Sequence, residues 1–111
     1  MKLIVPVLGL LISLAPALAH ADQVFTFQSV DGAKRVWNSR VEVTGILAAE
    51  SAPTTLIFNF VQSTQDGAAA AFVTSCYQNA LLAMNRPGRF QLEVTRASSG
   101  LISDCALRRN Q

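Results

Sequence analysis

Phe72-Val73-Thr74-Ser75-Cys76-Tyr77-Gln78-Asn79-Ala80-Leu81-Leu82-Ala83-Met84-Asn85-Arg86-Pro87-Gly88-Arg89-Phe90-Gln91-Leu92-Glu93-Val94-Thr95-Arg96 is the stretch on which the fold turns. The β-branched Val73 and Thr74 favour a strand, read as Ala71 to Cys76. From Tyr77 the spacing Tyr77, Leu81, Met84 is i, i+4, i+7, one face of a short helix that Pro87-Gly88 stops. Phe90, Leu92 and Val94 then alternate with Arg89, Gln91, Glu93 and Thr95, which predicts a strand over 89–95 with one buried face. Strand, short helix, strand is the resulting expectation. The alanines at 68–71 favour helix instead, so a single helix from Asp66 to Asn85 stays open as the other reading.

Upstream, Arg40 begins a clean alternation: Val41, Val43 and Leu47 share one face, Arg40, Glu42 and Thr44 the other. Gly45 stands where a strand bends or bulges. Thr54 to Gln62 is a further strand, with Leu56, Phe58 and Phe60 on its core face. Its opposite face, Thr55, Ile57, Asn59 and Val61, is too apolar to be left wholly to solvent. Ser63 to Gly67 reads as a polar loop. Before these, Val24-Phe25-Thr26-Phe27 alternates weakly, and Asp31-Gly32 is a two-residue turn signal after which Ala33 to Trp37 returns as a second arm. Residues 22–39 are thus expected to form an N-terminal hairpin or extension ahead of a domain at 40–111. Downstream, Ala97 to Gly100 is a loop and Leu101 to Arg108 a last strand, with Cys105 on the face of Leu101, Ser103 and Leu107.

The first 21 residues have a different character. A short basic start at Lys2, an apolar run from Leu3 to Leu18, and the small-x-small steps Ala17-Leu18-Ala19 and Ala19-His20-Ala21 describe a removable secretory signal peptide. The run falls short of the roughly 20 residues that span hydrocarbon, and it carries Pro6 and Pro16. No later segment is expected to cross a membrane. The formal charge of +2 falls to +1 when Lys2 is lost, so basicity gives no argument for nucleic acid. Lys34, Arg35, Arg40, Arg86, Arg89, Arg96, Arg108 and Arg109 are scattered, as on a solvated surface.

An exported chain of this size sits near the lower limit of comfortable stability, and its two cysteines have an evident use. A Cys76–Cys105 disulfide closes a loop of about 30 residues, a constraint of roughly 3–4 kcal/mol in the chain-entropy model. The rival, a metal-binding or catalytic thiol pair, needs partners, and His20 precedes the cleavage point. No other histidine is present.

Strand, strand, strand, short helix, strand, strand is the order of the OB-fold, in which a helix between the third and fourth strands plugs one end of a five-stranded barrel. In that topology the third and fifth strands are neighbours, which would bring Cys76 and Cys105 within disulfide reach. The fold class is therefore expected to be mainly β: an OB-fold-like barrel with one short helix between strands 3 and 4 and the N-terminal hairpin or extension added. Val41-Glu42-Val43-Thr44-Gly45, Cys76, the helix leading to Pro87-Gly88, Gln91-Leu92-Glu93-Val94 and Leu101 to Leu107 resemble small exported bacterial OB-fold domains of the tRNA_anti-like type. The resemblance spans about Arg40 to Arg108. Phe72 to Thr95 also resembles the B subunits of AB5 toxins, disulfide-bonded OB-folds that form pentamers and bind glycans. The cysteine placement and the N-terminal extension depart from that second family. The resemblances imply a periplasmic or secreted protein, as from a Gram-negative bacterium.

Catalysis finds no support in the residues. Asp22, Asp31, Glu42, Glu50, Asp66, Glu93 and Asp104 show no pairing pattern, no nucleophile has a visible base, and neither a phosphate-binding glycine motif nor a metal-ligand spacing occurs. No catalytic residue, metal or cofactor is assigned. Aromatic ladders and a basic groove are missing, which argues against nucleic acid. A binding module remains, with two candidate occupants. A small ligand or glycan would use the outer strand face and loops through Arg40, Ile57, Asn59, Arg89 and Arg96. A protein partner would meet the apolar positions Ile57 and Val61 with Trp37 as anchor, as in an inhibitor, an immunity protein or an assembly subunit. A homo-oligomer is a further form such a partner takes.

Overall fold

The computed structural model describes residues 21–37, 39–60 and 67–110. The signal-peptide segment, Val61 and the 63–66 part of the expected loop lie outside them. Five strands and one helix follow in the order β1 (Gln23–Val36), β2 (Arg40–Leu47), β3 (Thr54–Asn59), α1 (Gly67–Asn85), β4 (Phe90–Arg96) and β5 (Ile102–Arg109). All strand pairs are antiparallel, and the sheet order is β3-β2-β1-β4-β5. Over the described residues the protein is mainly β, as expected, with a single helix. The sheet is open, however: β3 and β5, which barrel closure would join, are its two edges.

Two expectations are corrected by the way β1 and α1 form. The expected N-terminal hairpin is a single 14-residue strand, β1, at the centre of the sheet. Asp31-Gly32 makes no turn. Its glycine keeps a negative φ, unlike Gly88 and Gly100, whereas a two-residue hairpin turn of the Asp-Gly kind needs positive φ at both central residues. Instead the pairing with β2 slips once between Phe27 and Ser29 and again between Val30 and Gly32. Gln28 and Asp31 are the extra residues of two bulges, which bend the strand and reset its alternation. Phe27 and Val30, three apart, both point into the core for this reason. Gly45 makes the bend fit: a Cβ there would fall on the Ser29 carbonyl oxygen and lie 3.0 Å from Val30 Cα.

The strand expected over Ala71 to Cys76 is the first half of a 19-residue helix, so the helix is long rather than short. The Ala-rich start offsets the modest helix cost of Val73 and Thr74, and burial decides the outcome. Val73, Cys76, Ala80 and Ala83 recur at i, i+3, i+7, i+10 and are all buried, forming one stripe laid on the sheet. Alanines in that stripe let the helix backbone approach closely. Tyr77, Leu81 and Met84, the residues that signalled the helix, flank the stripe and are half-buried.

The helix packs on the concave side of the sheet over Val41 and Val43 from β2, Leu92 and Val94 from β4, and Phe27 and Val30 from β1. Phe58 of β3 completes the core, its ring 5.7 Å from that of Phe25 and 6.2 Å from that of Phe27. The Cys76–Cys105 disulfide is present, with Cα atoms 5.4 Å apart. It joins helix to edge strand, not strand to strand. On β5 the pairing slips between Thr95 and Arg96, leaving Ser103 as the extra residue. Ile102, not Leu101 or Ser103, therefore shares the buried face of Cys105.

Candidate functional site

The outer face of β2 and β3 gathers most of the expected contact residues. Arg40 pairs across the strands with Asn59, and Glu42 with Ile57; directly opposite residues in an antiparallel ladder project to the same side. Thr44 and Thr55, the next pair but one, share a hydrogen bond of 2.7 Å between their hydroxyls. Ile57 is 47% exposed and Asn59 is fully on the surface. Arg40 Nε lies 3.9 Å from Glu42 Oε2, within ion-pair range but too far for a hydrogen bond, so this buried nitrogen has no hydrogen-bond partner.

Trp37 stands in the connection between β1 and β2, next to the Arg40 end of that ladder. It is 83% exposed, and its backbone adopts φ 56°, a left-handed conformation uncommon for a bulky residue. Arg35 fixes this connection from beneath. Its Nε donates to the Trp37 carbonyl at 3.0 Å, and its Nη1 donates to Thr74 Oγ1 on the helix at 2.8 Å. The half-buried Arg35 was missed in the sequence because the Asp31-Gly32 signal placed it on a hairpin arm. Its place two residues before the exposed tryptophan was the available clue.

Two expected contact residues lie elsewhere. Arg89 is exposed just ahead of β4, beyond the C-terminal end of the helix. Arg96 shares the inward parity of Leu92 and Val94 and projects over the concave side, where its guanidinium carbon lies 4.9 Å from the Phe25 ring centre and 5.8 Å from that of Phe58. From there Nη2 donates to the Ile57 carbonyl at 3.3 Å. One arginine thus spans from β4 to the far edge strand, a measure of how strongly the sheet curls.

Surface recesses are shallow features beside these residues. One of about 430 Å³ is lined by Asp22, Gln23, Arg96, Ala97 and Ser98, among others. A second of about 270 Å³ lies against Val24, Phe25, Leu47 and Glu50. Among the described residues no group of three or more His, Cys, Asp or Glu side chains gathers as a metal site would require. No helix among them is long and apolar enough to cross a membrane. Compared with protein-family models, curated proteins and solved structures, the chain matches none.

Proposed function

We propose that the chain is an exported, non-enzymatic binding module of OB-like topology that engages a protein partner through Trp37 and the outer face of β2 and β3. Support for the topology comes from the order β-β-β-α-β-β, with the helix between the third and fourth strands and with β3 and β5 as the strands that closure would join. The observation that carries the binding role is Trp37. A large aromatic side chain is held out in solvent on a left-handed backbone that Arg35 secures. Such strain persists only where surrounding structure fixes it, and it concentrates at functional positions. Tryptophan with nearby arginine and an exposed isoleucine is the composition of an interface hot spot.

A small ligand or glycan is the second occupant of the same face. The exposed Asn59 amide and the partly exposed Arg40 side chain opposite it favour this reading, since both offer hydrogen bonds to a polar ligand. Capture from periplasmic extract with the wild-type chain and with Trp37→Ala tests the two readings together with a glycan array. A specific protein retained by wild type and lost by Trp37→Ala supports the protein reading. Retained capture by the variant removes Trp37 as the anchor. A positive array that weakens in Asn59→Ala transfers the face to the glycan reading.

A further inference from the structure

The backbone of β3 carries information that its side chains do not. Phe60 N–H is spent on the Ser39 carbonyl at 2.8 Å, on the β2 side. In an antiparallel ladder successive residues turn their N–H and C=O groups to opposite sides. Thr54, Leu56 and Phe58 therefore face β2, and Thr55, Ile57 and Asn59 face the free edge. Arg96 meets one of these groups, the Ile57 carbonyl, and among the described residues no strand pairs with the rest. A carbonyl oxygen has two lone pairs, so this contact leaves room for a ladder bond.

Edge strands in natural proteins are blunted by charge, an internal proline, a bulge or a covering element. Thr54-Thr55-Leu56-Ile57-Phe58-Asn59 has no charge and no proline, and its pairing with β2 runs without a register shift. Pro53 stands just before it and lacks an N–H, which limits any added ladder at the N-terminal end of the strand.

We infer that the free edge of β3 pairs with the same edge of a second copy, antiparallel about a two-fold axis at Ile57. This goes beyond the binding reading and does not require it, because the contact is made by backbone. The register follows from the outward groups: Ile57 faces Ile57 of the second copy, and Thr55 faces Asn59 in both directions. That arrangement engages all three outward residues of each strand, sets an exposed apolar pair on the two-fold, matches hydroxyl with amide, and sets no charged residue of one strand opposite a charged residue of the other. An isologous contact of this kind closes at two copies. The paired edges turn two five-stranded sheets into one continuous sheet.

The test is the mass of the folded, oxidised chain by light scattering, with variants of the edge. Wild type is expected at twice the chain mass at micromolar to millimolar concentration. Ile57→Pro removes a donor that faces away from β2, so the sheet keeps its own bonds while the dimer is expected to weaken by more than tenfold. Ile57→Lys sets two ammonium groups opposite each other and lowers dimer affinity about tenfold without touching the backbone. A hydrogen-bonded antiparallel pair has Cα atoms about 5.5 Å apart, within disulfide reach. Ile57→Cys is therefore expected to cross-link, Thr55→Cys mixed with Asn59→Cys to cross-link, and exposed Leu82→Cys on the helix to stay monomeric. A monomer at every concentration, a dimer undiminished by both Ile57→Pro and Ile57→Lys, or cross-linking as efficient at Leu82 as at Ile57 would each overturn the inference.

Discussion

The two edges of this sheet are finished in opposite ways. At β5, Asn110 N–H is given to the Arg89 carbonyl on the β4 side, so Cys105, Leu107 and Arg109 turn their backbone groups outward. The helix meets that edge twice: Asn79 Nδ2 donates to the Cys105 carbonyl at 3.1 Å, and Cys76 is bonded to Cys105 through sulfur. At β3, among the described residues, no helix lies over the edge; Arg96 alone reaches its Ile57 carbonyl, and the strand is held from inside by Phe58 packed on Phe25 and Phe27. One edge is sealed by a covering helix, the other is anchored by a ring and left available.

Truncating the inner anchor gives the largest expected effect. Phe58→Ala removes a fully buried ring from the aromatic cluster and is expected to cost about 3–5 kcal/mol, read as a fall in the chemical-denaturation midpoint at unchanged slope. If β3 were held mainly by its backbone ladder to β2, the loss would be much smaller. Opening the other edge comes next. Replacing Cys76 and Cys105 by serine frees a loop whose ends are 29 residues apart and is expected to cost roughly 3–4 kcal/mol. Unlike Phe58→Ala, this variant exposes the β5 edge, so aggregation should rise more than in an equally destabilised core variant. Equal aggregation in both would break the comparison.

The bulged pairing of β1 with β2 rests on one residue. Gly45→Ala puts a methyl group onto the Ser29 carbonyl of the facing bulge, and backbone must shift to admit it, at about 1–3 kcal/mol. A smaller change sharpens the β5 side. Asn79→Ala leaves the Cys105 carbonyl without its helix partner, a loss of about 1 kcal/mol. Faster amide exchange along β5 with no change along β3 would show that Asn79 acts on that edge alone.

What is legible in the sequence follows the same physics. β2, β3 and β4 were legible because each has one buried face and a clean two-residue period: Val41 and Val43, Leu56 and Phe58, Leu92 and Val94. The disulfide was legible from two cysteines in a chain read as exported, although its geometric reason differs, since Cys76 lies on the helix. Bulges broke the reading elsewhere. At Gln28, Asp31 and Ser103 one unpaired residue shifts the alternation, which hid the continuity of β1 and put Ile102 on the face expected for Leu101. The helix start was hidden because Val73 and Thr74 carry strand propensity while the deciding stripe consists largely of alanines. At the candidate site, Arg40, Ile57 and Asn59 share a face because a two-residue period determines their side. Arg96 was assigned outward although the parity of Leu92 and Val94 already turned it inward.

The smallest expected effect runs in the opposite direction from the others. Trp37 holds φ 56° in the connection that leads from β1 into β2, and a left-handed backbone costs a residue with a Cβ roughly 1–2 kcal/mol. Glycine bears no such cost, and the exposed indole contributes little packing of its own. Trp37→Gly is therefore expected to hold or raise stability, by up to about 1 kcal/mol, while abolishing partner capture. A variant that gains stability and loses binding would mark the tryptophan as retained for contact. Destabilisation by more than about 1 kcal/mol would instead mean that the indole packs on the connection, and that connection would join the inner anchors that hold β3 rather than the surface it offers.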